Sequence, residues 1–254
     1  KTSGADAAPA AEAAVVNETT PLVSREQQLK ESQAEVRKGF VRKVYGILSA
    51  QLLVTVIIAV PVMFFAKSHA KSAEGALIAS SGGMLLLSLV MAGCTDLLER
   101  YPYNYLMLFG MTCGMSVVVG FASSVCTWQS VALTLVVTAG VFCGLSFYAW
   151  TTSTDLSDYM AYVASFMFAL MLFSVSVGII AAISGYQNVR WLIMIYDFLC
   201  AVPFIFFMVH RTQTITGKFK ETECIDNYAE VALRLYMDVA HLFLRILRLV
   251  GKRK

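Results

Sequence analysis

The sequence predicts an all-α membrane protein that crosses the bilayer several times. Hydrophobic residues make up 57% of the chain and charged residues only 15%, whereas a soluble domain carries roughly 25% charged residues. A water-soluble fold of this composition would have to expose large apolar patches. Six apolar runs follow one another, at residues 44–66, 76–93, 103–125, 130–150, 159–183 and 191–209. Each is about long enough to cross the bilayer, where only a helix satisfies its own backbone.

Composition divides the chain into three predicted regions. Residues 1–24 are rich in Ala, Glu, Thr and Pro, lack an apolar period, and are predicted to form a disordered cytosolic tail. Residues 25–43 are a basic juxtamembrane segment, and residues 44–254 are a single transmembrane helical bundle. Because Lys and Arg favour the cytosolic side of a membrane, we expect the N-terminus in the cytosol.

A further helix is predicted at residues 228–250, and it differs from the apolar runs in its charge. Its ionisable residues recur every three or four positions and fall within an arc of roughly 80° on one face. We call them the polar stripe: Glu230, Arg234, Asp238, His241, Arg245 and Arg248. Such a helix either lies flat on the membrane or is threaded into the bundle, with its stripe lining a wet cavity. The pattern alone leaves both arrangements open.

Asp197 lies in the sixth apolar run, roughly two turns inside Trp191 and between Tyr196 and Phe198. A charge at the centre of a membrane helix costs about 2.5–3.5 kcal/mol on insertion scales. The Asp197 carboxyl is therefore either paired with a neighbouring hydroxyl or extended outward to the interface, or it is used as a proton or cation site, and these alternatives stay open.

Other chemistry is not indicated. The chain has no basic tract with interleaved aromatic residues, so nucleic acid is not an expected partner. It has no HExxH motif, and its three histidines lack the spacing of metal ligands, so we predict no enzymatic activity. Two glycine pairs, Gly110 with Gly114 and Gly140 with Gly144, have the small-xxx-small spacing that predicts close helix packing.

Four stretches, in this order, resemble the Bax-inhibitor/Lifeguard family, in its Lifeguard branch. They are residues 37–45 (RKGFVRKVY), 100–104 (RYPYN), 154–157 (TDLS) and 235–238 (LYMD). The resemblance implies six transmembrane helices around a seventh, C-terminal central (or re-entrant) helix. It also implies a pH-sensitive calcium leak in an endomembrane, the endoplasmic reticulum or Golgi, with a role in calcium homeostasis and in suppressing cell death. The expected partners are the lipid bilayer, calcium as the transported ion, and apoptosis-regulating membrane proteins; no cofactor is expected.

The resemblance also implies a gating site. In the family, one aspartate at the end of the sixth span and one in the last helix act as a proton-sensitive latch. Asp238 matches the second, but Arg211 stands where the first is usual. Arg does not lose its proton in proteins, so an Arg211–Asp238 pair would be a salt bridge that is locked or released by another signal. The candidate residues for the ion pathway or gate are Asp238, Arg211, Asp197, His241 and Arg234.

Asp238 and Asp197 are also the candidate calcium ligands, because calcium prefers oxygen donors. Asp197 is 14 residues from Arg211, roughly 21 Å along a helix, so it cannot take the place of Arg211. Two other functions remain: a cation/proton exchanger that uses the same residues, and a membrane interaction protein that transports nothing.

Overall fold

The computed structural model describes residues 8–68, 103–152, 154–184, 188, 190–217 and 227–252. Within these residues, helices joined by short connections make up the fold, as predicted. Its helices are α1 Ala8–Ser68, α2 Tyr103–Ser124, α3 Trp128–Thr151, α4 Met160–Ser184, α5 Arg190–Thr216 and α6 Tyr228–Val250. A short 3-10 helix, Ser157–Tyr159, precedes α4.

Five of the described helices contain a stretch long and apolar enough to cross a membrane, which confirms a multi-pass membrane protein. These stretches are Glu31–Ser68, Tyr103–Ser124, Trp128–Thr151, Ser157–Val177 and Arg190–Thr216. Their outer faces carry large apolar side chains, such as Ile183 and Phe147, that are more than two-thirds exposed and suit a lipid-facing surface. The predicted second run, residues 76–93, lies outside the described residues.

The first helix begins earlier than expected. Residues 8–24, predicted to be a disordered tail, form the start of α1. Five of the first seven residues of α1 are Ala, the residue with the highest helix propensity, which outweighs the lack of an apolar period. The division of the chain into tail, juxtamembrane segment and bundle stays a prediction.

The last helix runs through the interior of the bundle, in contact with α1, α2, α3 and α5. At its start, the Tyr228 hydroxyl is 2.7 Å from the hydroxyl of Tyr105, in the first turn of α2. Just beyond its end, the Lys252 carbonyl accepts a hydrogen bond from the Thr127 N–H (3.0 Å), and the Lys252 N–H donates to Ser130 Oγ (3.1 Å). We call these the Tyr228 end and the Lys252 end. The start of α2 lies at the Tyr228 end, and the connection that follows α2 lies at the Lys252 end. The helix α6 therefore extends along the full length of α2 and does not lie across one end of the bundle.

The junction of α1 with the end of α5 depends on one glycine. Gly217 ends α5 with a φ of +69°, and its N–H donates to the carbonyls of Gln213 and Thr214. Arg37 of α1 also donates to the Thr214 carbonyl. A Cβ at position 217 would lie 2.7 Å from Arg37 Nε, so a larger residue would be both strained and in collision. The basic juxtamembrane segment therefore caps the C-terminus of α5.

Close packing of α1 on α2 occurs at Gly120, which belongs to neither of the predicted glycine pairs. A Cβ on Gly120 would lie 2.8 Å from Val62 Cβ. No described atom lies within 4 Å of the equivalent position at Gly110, Gly140 or Gly144. The small-xxx-small spacing therefore did not identify the glycine that lets two described helices approach.

We expect Gly120→Ala to lower the free energy of unfolding by about 1–3 kcal/mol, because Val62 and the adjacent backbone must shift. Gly140→Ala is the matched control, with space for the methyl group and a better helix propensity. Thermal unfolding of the detergent-solubilised protein measures both. Equal changes in the two variants would contradict the packing described at Gly120.

The traverse of α6 predicts that the two termini reach opposite sides of the membrane. Lys43 of α1 lies at the Tyr228 end, with its Nζ 5.4 Å from the Tyr228 ring centroid. Lys252 is at the other end. Tags placed before α1 and after Lys254 should therefore be accessible to protease from opposite sides of sealed vesicles. If protease reached both tags from one side, the result would favour a flat or re-entrant arrangement of α6.

Candidate functional site

The polar stripe of α6 faces α5, and the two helices are antiparallel. Three side chains of α5 meet the stripe in turn, from the end of that helix toward its start: Arg211, Phe204 and Asp197. The opposite sides of α6 are buried, with Leu235 and Leu242 at most 1% exposed. We call the contact between the stripe and α5 the α5–α6 seam.

The first ion pair of the seam joins Arg211 to Asp238. Arg211 Nε lies 2.6 Å from Asp238 Oδ2. Asp238 is 5% exposed, whereas the Arg211 side chain is about a quarter exposed. A buried carboxylate is tolerated when a cation is hydrogen-bonded to it, and this geometry supplies one. The structure thus brings together the two residues expected to form a salt bridge, while their part in gating stays a prediction.

The second ionic cluster is centred on Asp197, near the Lys252 end. This carboxylate is 2% exposed. Arg245 forms an ion pair with Asp197 Oδ1, and Arg248 Nη1 is 3.3 Å from the same oxygen. The Arg245 guanidinium also lies 4.9 Å from the centre of the Tyr196 ring. Among the described residues, the structure therefore shows neither a hydroxyl partner nor an outward-facing carboxyl at Asp197, but a single acid shared by two cations, while its role as a proton or cation site stays a prediction.

The remaining two candidates have more local contacts. His241 stacks on Phe204, with ring centroids 5.1 Å apart, and its Nδ1 donates to the Met237 carbonyl at 2.7 Å. Arg234 forms an ion pair with Glu230, one turn earlier on the same helix, and its side chain is half exposed. His241 therefore fills the seam between the two ionic clusters, and Arg234 extends the stripe toward the Tyr228 end.

Both predicted calcium ligands, Asp238 and Asp197, form ion pairs with guanidinium groups in this structure. Asp238 is held by Arg211, and Asp197 by Arg245 and Arg248, so the two acids share no partner. In the part of the chain that the structure describes, no three His, Cys, Asp or Glu side chains are grouped to hold a metal ion. Calcium takes six to eight oxygen ligands, so either acid would have to exchange its cation before binding it.

A cavity of about 550 Å³ lies on the side of α6 away from the seam. It is lined by apolar side chains of α1 and α3, among them Leu52 and Phe142, and by Tyr236 of α6. An apolar cavity offers a cation no compensation for lost water. The seam, with its charges, is therefore the better candidate for an ion route.

A family model described as "Inhibitor of apoptosis-promoting Bax1" matches residues 37–254, which include both ionic clusters and all of the described bundle beyond residue 36. The chain belongs to the Bax-inhibitor/Lifeguard family. It is 30% identical over 226 residues to protein lifeguard 3 of Homo sapiens, covering 86% of this chain and 70% of that protein. It is 28% identical to protein lifeguard 3 of Mus musculus over 222 residues, 86% of this chain and 71% of that protein. Protein LIFEGUARD 2 of Arabidopsis thaliana is 26% identical over 221 residues, 85% of this chain and 88% of that protein.

Membership in the Lifeguard family confirms the resemblance seen in the four short stretches. The structure now adds polar contacts that the sequence did not indicate. Gln51 Nε2 donates to Thr112 Oγ1 at 3.0 Å, and the Thr55 and Tyr236 hydroxyls are 2.7 Å apart. These buried, uncharged side chains join α1 to α2 and to α6. Hydropathy did not reveal these residues, because a single amide or hydroxyl barely changes the average over an apolar run. Their position inside such runs was the one signal that could have found them.

We expect Arg211→Met to destabilise the protein by about 3 kcal/mol, because it leaves the buried Asp238 carboxylate without its cation. The double variant Arg211→Met/Asp238→Leu should recover most of that loss, since no buried charge remains. Unfolding of the single and double variants, compared in a double-mutant cycle, measures the coupling. Additive losses would mean that the pair does not hold α5 to α6.

Proposed function

We propose that this Lifeguard-family protein is a calcium leak in an intracellular membrane, the endoplasmic reticulum or Golgi, and that it suppresses cell death by regulating calcium. The observation that carries the proposal is the buried Arg211–Asp238 pair, the first ion pair of the α5–α6 seam. The family match, with its description as an inhibitor of apoptosis-promoting Bax1, supports the protective role.

The seam supplies what a cation route needs. Ionisable groups inside a membrane protein are costly, and they are commonly found along ion pathways. Here they follow α6 from the Glu230–Arg234 pair to Arg245 and Arg248, on the face toward α5. Each carboxylate is neutralised by Arg, which corresponds to a closed route. Separation of α5 from α6 would free Asp238 to attract a divalent cation.

The gating signal we propose differs from a shared proton. Two close carboxylates respond to pH because they cannot both ionise cheaply. Arg211 instead keeps its charge at any physiological pH and holds Asp238 as a salt bridge. The closed form should therefore persist between about pH 7 and 8, where Asp238 also keeps its charge, and another signal should open the seam.

The test is calcium flux into dye-loaded vesicles that contain the purified protein. We expect a slow leak that changes little over that pH range. Arg211→Asp should raise the flux about tenfold or more and make it pH-dependent, because a cation that repels calcium becomes a second carboxylate. Asp238→Asn should lower the flux, because the positive charge of Arg211 is then no longer neutralised and repels calcium. Arg234→Gln is the control for loss of a positive charge on the stripe, and it should leave the pH response flat.

Three results would redirect the proposal. Equal inertness of the wild type, Arg211→Asp and Asp238→Asn would exclude a leak and favour a protein that acts only through interactions. Calcium movement coupled in fixed ratio to a pH gradient would identify an exchanger. A strong pH response in the wild type would show that the Arg211–Asp238 pair does not replace proton gating.

A further inference from the structure

Among the residues that the structure describes, the Lys252 end of the bundle carries an excess of positive charge. Cations gather there from α5 and from the end of α6: Arg190, Arg245, Arg248 and Lys252. The acid described beside them is Asp197, which pairs with Arg245 and Arg248. One carboxylate cannot neutralise four cations.

Two of these cations line a small cavity of about 50 Å³. Its wall includes Arg190 at the start of α5, Arg248 of α6 and Gly251 just beyond α6, together with Asp197, whose carboxylate is already paired with Arg245 and Arg248. Arg248 reaches Asp197 at 3.3 Å, but Arg245 also pairs with that carboxylate and the Arg248 side chain is 46% exposed. Arg248 thus shares Asp197 with Arg245 and remains partly exposed. The N-terminus of α5 adds a partial positive charge beside Arg190.

This cluster lies at the depth of lipid headgroups. Trp128 and Trp191, the first residue of α3 and the second of α5, are about two-thirds exposed at the same end. Tryptophan concentrates at the interface between hydrocarbon and headgroups. The backbone of Lys252 is fixed there by Thr127 and Ser130. The cations are therefore held at the membrane surface by ordered structure and are not on a free tail.

We propose that Arg190 and Arg248, with the first turn of α5, bind the phosphate of an anionic phospholipid at the Lys252 end. Guanidinium groups pair with phosphate oxygens in two-point geometry, and two of them line this cavity. Exposed apolar side chains beside it, such as Ile195 and Val250, give the acyl chains a surface to lie on. The bound phosphate would neutralise part of the positive charge of the arginines that Asp197 alone does not balance.

Quenching of tryptophan fluorescence by brominated lipids tests this site, because Trp128 and Trp191 are close to it. The full chain is reconstituted in phosphatidylcholine bilayers that contain a small fraction of brominated phosphatidylglycerol or, in parallel, brominated phosphatidylcholine. We expect quenching to saturate at a low fraction of phosphatidylglycerol but not of phosphatidylcholine. Equal quenching by the two lipids would overturn the proposal.

The variants separate this site from general attraction to the membrane. Arg190→Gln changes an exposed side chain at the start of a helix and should fold normally. We expect it to weaken relative binding of phosphatidylglycerol roughly fivefold, and Arg190→Gln/Arg248→Gln to weaken it roughly 25-fold. Lys67→Gln, which removes one charge at the end of α1, should leave binding unchanged. Unchanged binding in Arg190→Gln, or an equal loss in Lys67→Gln, would overturn the site. Displacement of the lipid by inorganic phosphate alone would overturn its assignment to a lipid.

Discussion

A charged helix can sit inside a membrane bundle only if each buried charge meets an opposite charge, and α6 meets this requirement through α5. Asp197 and Arg211 stand near opposite ends of α5, while the acid and the arginines of α6 follow in the complementary order. The charges therefore fix both the antiparallel direction and the register of the two helices. A slip of one turn, about 5.4 Å, would leave both carboxylates buried without their cations.

The rest of the bundle shields this charged contact. Helices α1, α2 and α3 cover the apolar sides of α6, and the hydroxyl pair of Thr55 and Tyr236 links α6 to α1 on the side away from the seam. A Lifeguard-type arrangement thus confines its charge to one line between two helices. Within that line stands Arg211, which keeps its proton at the position where the family resemblance led us to expect an acid.

Much of this arrangement could be predicted because long apolar runs and a helical charge period each have a direct physical meaning. The spans and the polar stripe followed from those two signals, and the Arg211–Asp238 contact followed from the resemblance. The partners of Asp197 did not, because a helical period gives the direction of a side chain and not the helix that faces it. The close approach at Gly120 was missed for a similar reason, since glycine spacing does not report which backbone lies opposite. The early start of α1 reflects alanine propensity, which outweighed the composition typical of a tail.

The cap that Arg37 places on α5 links the juxtamembrane segment mechanically to the seam. Thr214, whose carbonyl Arg37 holds, is three residues from Arg211, and residues three apart are neighbours on a helix face. A rotation of α5 by one residue, about 100°, would withdraw both Thr214 from Arg37 and Arg211 from Asp238. Torque applied to the juxtamembrane segment, by a binding partner or a modification, would reach the buried salt bridge through a single rigid helix. Under this mechanism, a force applied outside the bilayer would open the seam, and no ion or proton would have to enter the seam first.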